Sequence, residues 1–378
     1  MSIPEPKEHT FPPLLSQGLA DLFQTAIREE VFPGAAVGLS VFNPPSHNVF
    51  TAVYGSAALF PEPRALLAET CFDLASLTKP LASTLAILSL IKEKKITLDD
   101  RLPLLLEQEI PFDKKGITLR QLLSHSSGLP AWQPYFKKLV ALPMEKRKEH
   151  LLAMILKEPL GYGPGEKSLY SDLGFMLLGD VVERKSGKRL DDMVRNNIFE
   201  PLGLGRGIFY NPMDNPDRNR VYAATENCLW REKVLAGEVH DDNAYAIGGV
   251  AGHAGLFGDV GSVLALLGHI LTEWQDKSEH PNYWRRDLQA FLARQGVPNS
   301  TWALGFDTPS AESSGGRYIS PNSIGHLGYT GTSFWIDPER QLIMVLLTNR
   351  VHPSRDNSKI KGFRRVFHDR VIELLGLR

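Results

Sequence analysis

Apolar side chains recur at helical spacing near both ends of the chain. These stripes predict helices over residues 14–30, 260–274 and 363–375. Shorter apolar runs, bounded by glycine, proline and polar residues, predict strands in the same regions. The predicted strands cover residues 35–42, 49–54, 302–306, 324–329, 333–336 and 342–347, and a turn over residues 43–48 joins the first two.

The middle of the chain has a different pattern. Between residues 96 and 245, helical pieces are separated by loops, and convincing strands are few. The predicted helices cover residues 98–100, 117–123, 135–156 with a break at Pro143, and 173–185. A glycine-rich segment at residues 246–255 predicts tight turns or close backbone packing.

These patterns predict an α/β (α+β) protein built around one sheet. Residues 14–95 and 246–378 are expected to form a sheet domain with helices packed on it. Residues 96–245 are expected to form an inserted, mainly helical domain.

One further helix is almost free of charge and begins near Ser76. Pro80 marks its start, because proline is tolerated in the first turn, where its missing N–H has no partner to lose. Ser76 and Lys79 are three residues apart, so they share a face of that turn, at the positive end of the helix dipole. The apolar positions that predict the helix are Leu81, Leu85, Leu88 and Ile91.

This spacing suits a nucleophile beside its base. A serine hydroxyl is inert at neutral pH until a neighbouring group takes its proton. Lys79 can do so if burial and nearby cations lower its pKa. The alternative is an N-cap serine followed by an ordinary solvated lysine.

Two other segments supply groups that could complete such a site. Tyr170, in a turn that opens the helix at 173–185, can shuttle a proton if a neighbouring ammonium lowers its pKa. In residues 325–332, glycines such as Gly328 alternate through a strand and let a ligand lie against the backbone. A backbone N–H there and that of Ser76 could form an oxyanion hole. The alternatives are a surface turn and a bulged strand.

Composition limits the possible partners. The chain has 378 residues, and 42 basic against 43 acidic side chains leave a formal charge of -1, which argues against nucleic acid. Cys71 and Cys228 are too few for a disulfide framework or a thiolate zinc site. No apolar run of membrane-spanning length and no signal-peptide pattern is found, so a cytoplasmic protein without a membrane partner is expected.

One competing site lies at residues 238–243, with His253 a little further on. Its histidine and carboxylates could ligate a metal, but the spacing fits no recognised ligand motif. A loop wall of the cleft is the alternative, and no metal or cofactor is predicted.

The three motifs together are more specific than each alone. In order, S-x-x-K, Y-x-N and K/H-x-G, they resemble those of the serine β-lactamase and penicillin-binding-protein superfamily. The tyrosine motif is similar to the class C β-lactamase branch, which includes carboxylesterases and D-alanyl-D-alanine peptidases. Residues 122–129, 254–257 and 348–353 also look like landmarks of that branch.

The resemblance implies a role for each site residue. Ser76 would be the acylated nucleophile, with Lys79 and Tyr170 as the acid/base pair. The implied fold is a β-lactamase-like α/β sandwich, an antiparallel sheet flanked by helices, with a helical lobe inserted. The residues expected to bind substrate or form the oxyanion hole are Asp172, His326, Gly328, Tyr329 and Arg350.

Two of these residues depart from the family pattern. Asp172 stands where asparagine is usual, and His326 stands where lysine is usual. With Asp172 near, the pKa of His326 is expected to rise, so that its charge changes within the working pH range. Both departures argue against an efficient β-lactamase.

The predicted function is a serine hydrolase that forms an acyl-enzyme on Ser76 with a small-molecule or short-peptide substrate. The substrate is expected to be an ester or a D-amino-acid peptide. The alternatives are a weak β-lactamase and a non-catalytic, penicillin-binding-like sensing module. The sequence makes no prediction of the oligomeric state.

Overall fold

The structure is a computed structural model that describes residues 13–43, 46–276 and 284–378. Residues 44 and 45 of the predicted turn at 43–48 lie outside the described residues, as does the amino-terminal segment before residue 13. The two strands that flank the turn are present and are longer than predicted.

The strands of the described residues form one large antiparallel sheet and two small ones. The large sheet has six strands in the order β3-β2-β1-β11-β10-β9. Its two halves come from opposite ends of the chain, because β1 pairs with both β2 and β11. The strands are β1 (Gly34–Asn43), β2 (Ser46–Ala58), β3 (Arg64–Ala65), β4 (Phe72–Asp73), β5 (Ile208–Tyr210), β6 (Asn227–Cys228), β7 (Lys233–Val234), β8 (Leu256–Gly258), β9 (Ile324–Leu327), β10 (Ser333–Asp337) and β11 (Leu342–Thr348).

Helices cover both faces of the large sheet and form most of the middle of the chain. Short 3-10 turns lie at Ala75–Leu77 and Phe112–Lys114, and π-helical turns lie at Lys79–Thr84 and Arg195–Phe199. The α-helices are α1 (Pro13–Arg28), α2 (Leu85–Lys92), α3 (Leu102–Leu106), α4 (Leu119–Leu123), α5 (Phe136–Leu139), α6 (Met144–Lys157), α7 (Asp172–Ser186), α8 (Leu190–Val194), α9 (Asp242–Ala246), α10 (Val260–Trp274), α11 (Arg285–Leu292) and α12 (Ile360–Leu374).

Two apolar layers enclose the large sheet. On one face, α1 and α12 pack on the sheet through side chains such as Phe23, Phe367 and Trp335. On the other face, α2 and α10 join the sheet to the helices of the middle segment in one continuous core that includes Leu85 and Leu267. Alternation of inward and outward side chains along each central strand explains why both faces are apolar.

The mixed fold and the antiparallel sheet predicted from the sequence are confirmed, as are the helices near 14–30, 135–156, 173–185 and 260–274. The division of the chain into a sheet domain and an inserted helical domain stays a prediction.

Two predicted elements are wrong. Residues 302–306 form no strand, because Gly305 has a φ of 79° and the chain turns back so that Trp302 pairs with Asp307 in a single bridge. Residues 98–100 form a turn rather than a helix, since the Asp100 carboxylate accepts hydrogen bonds from the backbone and side chain of Thr97. The helix α11 was not predicted.

No helix in the described ranges combines the length and the apolar character that crossing a membrane needs.

Candidate active site

Ser76 and Lys79 lie at the start of the buried helix and contact each other. The Lys79 ammonium donates a hydrogen bond to Ser76 Oγ (2.9 Å) and another to the His253 carbonyl (3.1 Å). The preceding residue, Ala75, has a left-handed φ of 48°, and its N–H donates to the Asp73 carboxylate (2.8 Å). A non-glycine residue in this conformation is held by its surroundings, and such strain is common next to reactive groups.

Asp172 is the direct partner of Lys79. Its carboxylate lies 2.7 Å from Lys79 Nζ, and the lysine side chain is fully buried. Ser171 caps α7 by accepting from the Gly174 N–H, which places Asp172 in the first turn of that helix, beside Lys79. The carboxylate therefore does not face His326, as the sequence suggested, but neutralises Lys79.

This ion pair changes the expected charge of Lys79. Burial lowers the pKa of Lys79, but the Asp172 carboxylate and Tyr170 outweigh it and raise the pKa above its ordinary value. The condition that the sequence analysis set for Lys79 as a base, a lowered pKa, is therefore not met in the free protein, because Asp172 supplies an anionic partner. Lys79 is a cation in the free protein.

Tyr170 completes a contact triangle with the first two residues. Burial raises the pKa of Tyr170, while the charge of Lys79 and hydrogen bonds with Lys79 and Ser76 lower it, and the net shift is upward. The phenol is therefore neutral at pH 7. Lys79 Nζ lies 4.8 Å from the centre of the Tyr170 ring.

A buried histidine supports this tyrosine. The His125 ring packs against the Tyr170 ring with centroids 4.6 Å apart and planes tilted by 39°, and its Nδ1 accepts from the Ser171 N–H (3.1 Å). Burial, and then the charge of Lys79, hold the pKa of His125 well below its ordinary value, so the ring is neutral. His125 lies in the turn at residues 122–129, which the sequence analysis identified only as a family landmark. The structure shows that this turn packs against Tyr170.

The turn between β9 and β10 is fastened to the nucleophile segment. The Thr330 hydroxyl donates to the Asp73 carbonyl (2.7 Å), and the Thr332 hydroxyl donates to the Leu74 carbonyl (3.1 Å). Gly328 is required here, because a Cβ at this position would lie 2.7 Å from the Leu74 carbonyl oxygen.

Two backbone donors remain open in this region. Within the described residues, the N–H groups of Ser76 and Tyr329 have no hydrogen-bond acceptor. Both residues line the same cleft, of ≈ 450 Å³. Open N–H groups beside a nucleophile are the components of an oxyanion hole.

His326 lies in this cleft but does not behave as predicted. It is 1% exposed, and its Nδ1 lies 2.9 Å from the Leu327 carbonyl, so Nδ1–H is the donor and Nε2 is left without a partner among the described atoms. Burial, and then the charge of Lys79, lower the pKa of His326 to about 3. The expected rise in its pKa was wrong, since Asp172 pairs with Lys79 instead.

Arg350 lines the cleft, and its guanidinium donates hydrogen bonds to backbone carbonyls. Its Nε donates to the Tyr329 carbonyl (2.8 Å), and its Nη1 donates to the carbonyls of Arg355 and Asn357 (2.9 and 2.6 Å). The guanidinium also lies over the Tyr329 ring, 4.5 Å from its centre. These contacts hold the turn in place.

The cleft contains further side chains that the sequence did not single out. Lys361, on the first turn of α12, is exposed and has no anionic partner among the described residues. Burial raises the pKa of Asp307 to about 6. Spacing along the chain gave no signal for either residue, because both reach the cleft only through the folding of distant segments. The remaining additional lining residues are Trp302, Leu327, Arg355, Ser358, Ile360 and Arg364.

The competing metal site at residues 238–243 is occupied by internal pairs. Asp241 accepts from His253 (2.9 Å) and caps α9, while Glu238 pairs with Arg231 and Lys233. Among the residues that the structure describes, no group of three or more His, Cys, Asp or Glu side chains is arranged to hold a metal ion. The loop instead lies beside the cleft, where the His240 ring stacks on Tyr329.

Comparison with known proteins gives consistent matches. A family model described as Beta-lactamase matches residues 19–369. A protein of Escherichia coli (strain K12) named "Putative D-alanyl-D-alanine carboxypeptidase" is 34% identical over 336 residues, which cover 81% of this chain and 75% of that protein.

Solved structures match at the level of the fold. "EstCE1, a hydrolase with promiscuous acyltransferase activity" superposes with a TM-score of 0.68 at 22% identity and covers 93% of this chain and 98% of its own. "Simvastatin Synthase (LovD) from Aspergillus terreus, unliganded" gives 0.71 at 19% identity, with 97% and 100% covered.

Proposed function

Because the chain belongs to the beta-lactamase family of serine hydrolases, we propose that Ser76 carries the acyl group and that the substrate is a short peptide ending in a D-amino acid. The observation that carries this proposal is the 2.9 Å contact between Ser76 Oγ and the buried ammonium of Lys79. A hydroxyl in such contact becomes an activated nucleophile once the amine is able to take its proton.

The charge of Lys79 constrains how Ser76 loses its proton. A cationic Lys79 cannot accept a proton unless it gives one away, and Asp172 lies 2.7 Å from the same nitrogen. In the proposed acylation step, Ser76 Oγ attacks the carbonyl carbon, its proton moves to Lys79, and Lys79 passes a proton to Asp172. Asparagine at this position could not accept that proton.

The return of the protons completes acylation. When the tetrahedral intermediate collapses, the leaving nitrogen takes a proton from the Tyr170 hydroxyl, whose contacts with Ser76 and Lys79 support this role. Lys79 then reprotonates Tyr170, and Asp172 returns its proton to Lys79. All three side chains regain their starting charges, and the acyl group remains on Ser76.

The developing negative charge is stabilised by fixed donors. The open N–H groups of Ser76 and Tyr329 are proposed to bind the oxyanion, as the resemblance implied. The carbonyls of the Tyr329 turn are already held, so these donors need little rearrangement during the reaction.

Cations near the cleft favour a substrate that carries a carboxylate. Lys361 has no anionic partner among the described residues, and Arg350, Arg355 and Arg364 line the same cleft. A peptide that ends in a D-amino acid has its carboxylate close to the scissile bond. The name of the E. coli relative points to the same substrate class.

An ester is the second candidate, and one observation favours it. His326 is neutral, so the strand offers no fixed charge where the family usually has lysine. A substrate without a carboxylate would lose little from this change. The contacts among Ser76, Lys79 and Tyr170 argue against a non-catalytic sensing module, while a weak β-lactamase activity remains a prediction.

Removal of the nucleophile tests the proposal. Ser76→Ala should fold normally and lose turnover of both a D-alanyl-D-alanine peptide and a short-chain nitrophenyl ester. Within the described residues, the only other hydroxyl that contacts Lys79 is that of Tyr170. Ser186→Ala, at the far end of α7, is the matched control and should keep wild-type rates. Wild-type turnover by Ser76→Ala would refute the proposed nucleophile.

Three further predictions accompany this function. We propose that residues 14–95 and 246–378 form one domain, a division supported by the shared sheet, with residues 96–245 inserted. A cytoplasmic location and a small-molecule or short-peptide partner without nucleic acid also remain predictions. Cell fractionation tests the first of these, and a substrate screen tests the second.

A further inference from the structure

One buried guanidinium contacts the turn that carries the Tyr329 N–H. Arg364, in the second turn of α12, donates from one nitrogen to the carbonyls of Gly328 and Thr332, each at 2.7 Å. Its side chain is buried, and the structure gives it no carboxylate partner within the described residues.

The Gly328 carbonyl is joined through one amide group to the N–H that is proposed to bind the oxyanion. It belongs to the amide that joins Gly328 to Tyr329, and the N–H of that same amide is the open donor in the cleft. A cation bound to the oxygen of an amide draws electrons from its nitrogen and makes the N–H a stronger donor. The Gly331 N–H also donates to this oxygen (3.1 Å), which polarises the amide in the same direction.

We propose that Arg364 polarises and orients the amide between Gly328 and Tyr329, and so acts as a positioning residue for stabilisation of the oxyanion. The inference rests on the proposed function, because that function assigns the Tyr329 N–H to the oxyanion. It adds a residue, outside the three motifs, that acts through the backbone of the turn.

The burial of the charge supports a role beyond packing. A cation removed from water without a carboxylate costs free energy, and a neutral side chain could hold two carbonyls at a lower cost. Burial, and then the charge of Arg350, lower the pKa of Arg364 to about 9, so it remains a cation at neutral pH. The turn also has its own supports in Thr330 and Thr332.

Arg350 provides an internal comparison. It donates to the Tyr329 carbonyl, which belongs to the next amide along the chain. Loss of Arg350 should loosen the same turn without removing the cation from the Gly328 carbonyl. A comparison of Arg350 and Arg364 variants therefore distinguishes an effect on the position of the turn from an effect on the polarisation of the Tyr329 N–H.

The first test needs no substrate. The chain has 10 tyrosines, so a protein labelled with ¹⁵N-tyrosine gives few amide signals, and Tyr329→Phe identifies that of Tyr329. Arg364→Gln should move the ¹⁵N and ¹H resonances of Tyr329 upfield, because the amide loses polarisation. Arg364→Lys should move them less. Arg365→Met changes a partly exposed neighbour on α12 that pairs with Glu312, and it should not move them.

The second test uses the reaction. Arg364→Gln should lower the acylation rate by about 10- to 100-fold, a part of what the loss of a whole oxyanion donor costs, with little change in substrate affinity. The infrared stretch of a ¹³C-labelled acyl carbonyl on the enzyme should rise in frequency. Arg350→Gln should change that frequency less than Arg364→Gln does.

The outcomes separate the two proposals. If wild-type protein forms no acyl-enzyme, the proposed function fails, and this inference fails with it whatever the NMR shows. If acylation occurs but Arg364→Gln leaves the Tyr329 resonances and the carbonyl stretch unchanged, Arg364 only packs the turn. Equal effects from Arg364→Lys and Arg364→Gln would also overturn polarisation by charge.

Discussion

The two walls of the cleft are built on different electrostatic principles. On the nucleophile wall, formed by Ser76, Lys79, Tyr170 and Asp172, ionisable side chains contact one another directly. On the strand wall, formed by β9 and the turn that follows it, cationic side chains contact backbone carbonyls instead.

This difference suits the two walls to different roles in the reaction. A chain of contacting acids and bases can move protons, whereas carbonyls clamped by cations keep N–H groups pointed in one direction. His326 lies on the strand wall and also donates to a backbone carbonyl, that of Leu327, but its pKa of about 3 keeps it neutral near pH 7. Changes on the nucleophile wall should therefore alter rate and pH dependence most.

The largest effect is expected from Lys79→Met. It removes the group through which the Ser76 proton passes, and we expect the acylation rate to fall by about 10³-fold or more. Stopped-flow measurement of nitrophenol release reports this rate. Lys148→Met, which breaks a partly exposed pair with Glu183, is the control and should stay near wild type. A loss below tenfold for Lys79→Met would remove lysine from the proton path.

Asp172→Asn sharpens the comparison because two mechanisms predict opposite signs. If Asp172 accepts a proton from Lys79, the amide cannot replace it, and the acylation rate should fall by about 10- to 100-fold. If Asp172 only raises the pKa of Lys79, its loss should lower that pKa, free the amine and increase the rate near pH 7. The pH–rate profile of this variant decides between them, and an increase would refute the relay.

His326→Lys tests the claim that the strand wall has no titrating group. With a pKa of about 3, wild-type His326 stays neutral from pH 5 to 9, so affinity for a carboxylated substrate should show no step that depends on it. The variant should bind such a substrate about 3- to 10-fold more tightly and leave a neutral ester unaffected. A wild-type step near pH 6.5 that vanishes in His326→Gln would contradict the assignment.

The smallest effect on activity is expected at the outer edge of the cleft. Burial raises the pKa of Glu226, but hydrogen bonds and charges from His240 and Arg355 outweigh it and bring the pKa to about 2. A carboxyl whose pKa is lowered by folding stabilises the protein above its unfolded pKa, and this contribution disappears as the pH falls toward 2.

Glu226→Gln should therefore lower the free energy of unfolding by about 1–2 kcal/mol at pH 7. This value is smaller than the pKa shift alone would give, because solvent partly screens the interactions of Glu226. The difference from wild type should shrink between pH 5 and 3, and kcat should change less than about threefold. Urea unfolding at several pH values measures this, and a difference that grows on acidification would contradict the linkage.

The sequence predicted the nucleophile wall better than the strand wall, for a physical reason. Ser76 and Lys79 are joined by helical geometry over three residues, and the phase of the apolar positions after Pro80 locates that helix. Their contact can therefore be predicted from residues that are close together in the sequence. Tyr170 was singled out from its position in a turn that opens a helix, and the resemblance between motifs then assigned its role.

What the sequence could not predict depends on distant partners. The predicted pKa direction of His326 was wrong, and the lowered pKa required for Lys79 as a base is not found, because both depend on which side chain Asp172 faces. Likewise, Arg364 and Lys361 reach the cleft only because α12 lies against the turn that follows β9. Gly305 shows a related limit, since one glycine with positive φ turned an apolar run into a loop.

The central claim is that Ser76 is acylated by its substrate. It is tested most directly by mixing the protein with a D-alanyl-D-alanine peptide or its ester analogue, quenching with acid within the first turnovers, and measuring intact and peptide masses. We expect one acyl group per chain on the peptide that contains Ser76, and none on Ser76→Ala. An adduct on another residue, or turnover of the same substrate without any adduct under conditions that trap it, would contradict the account.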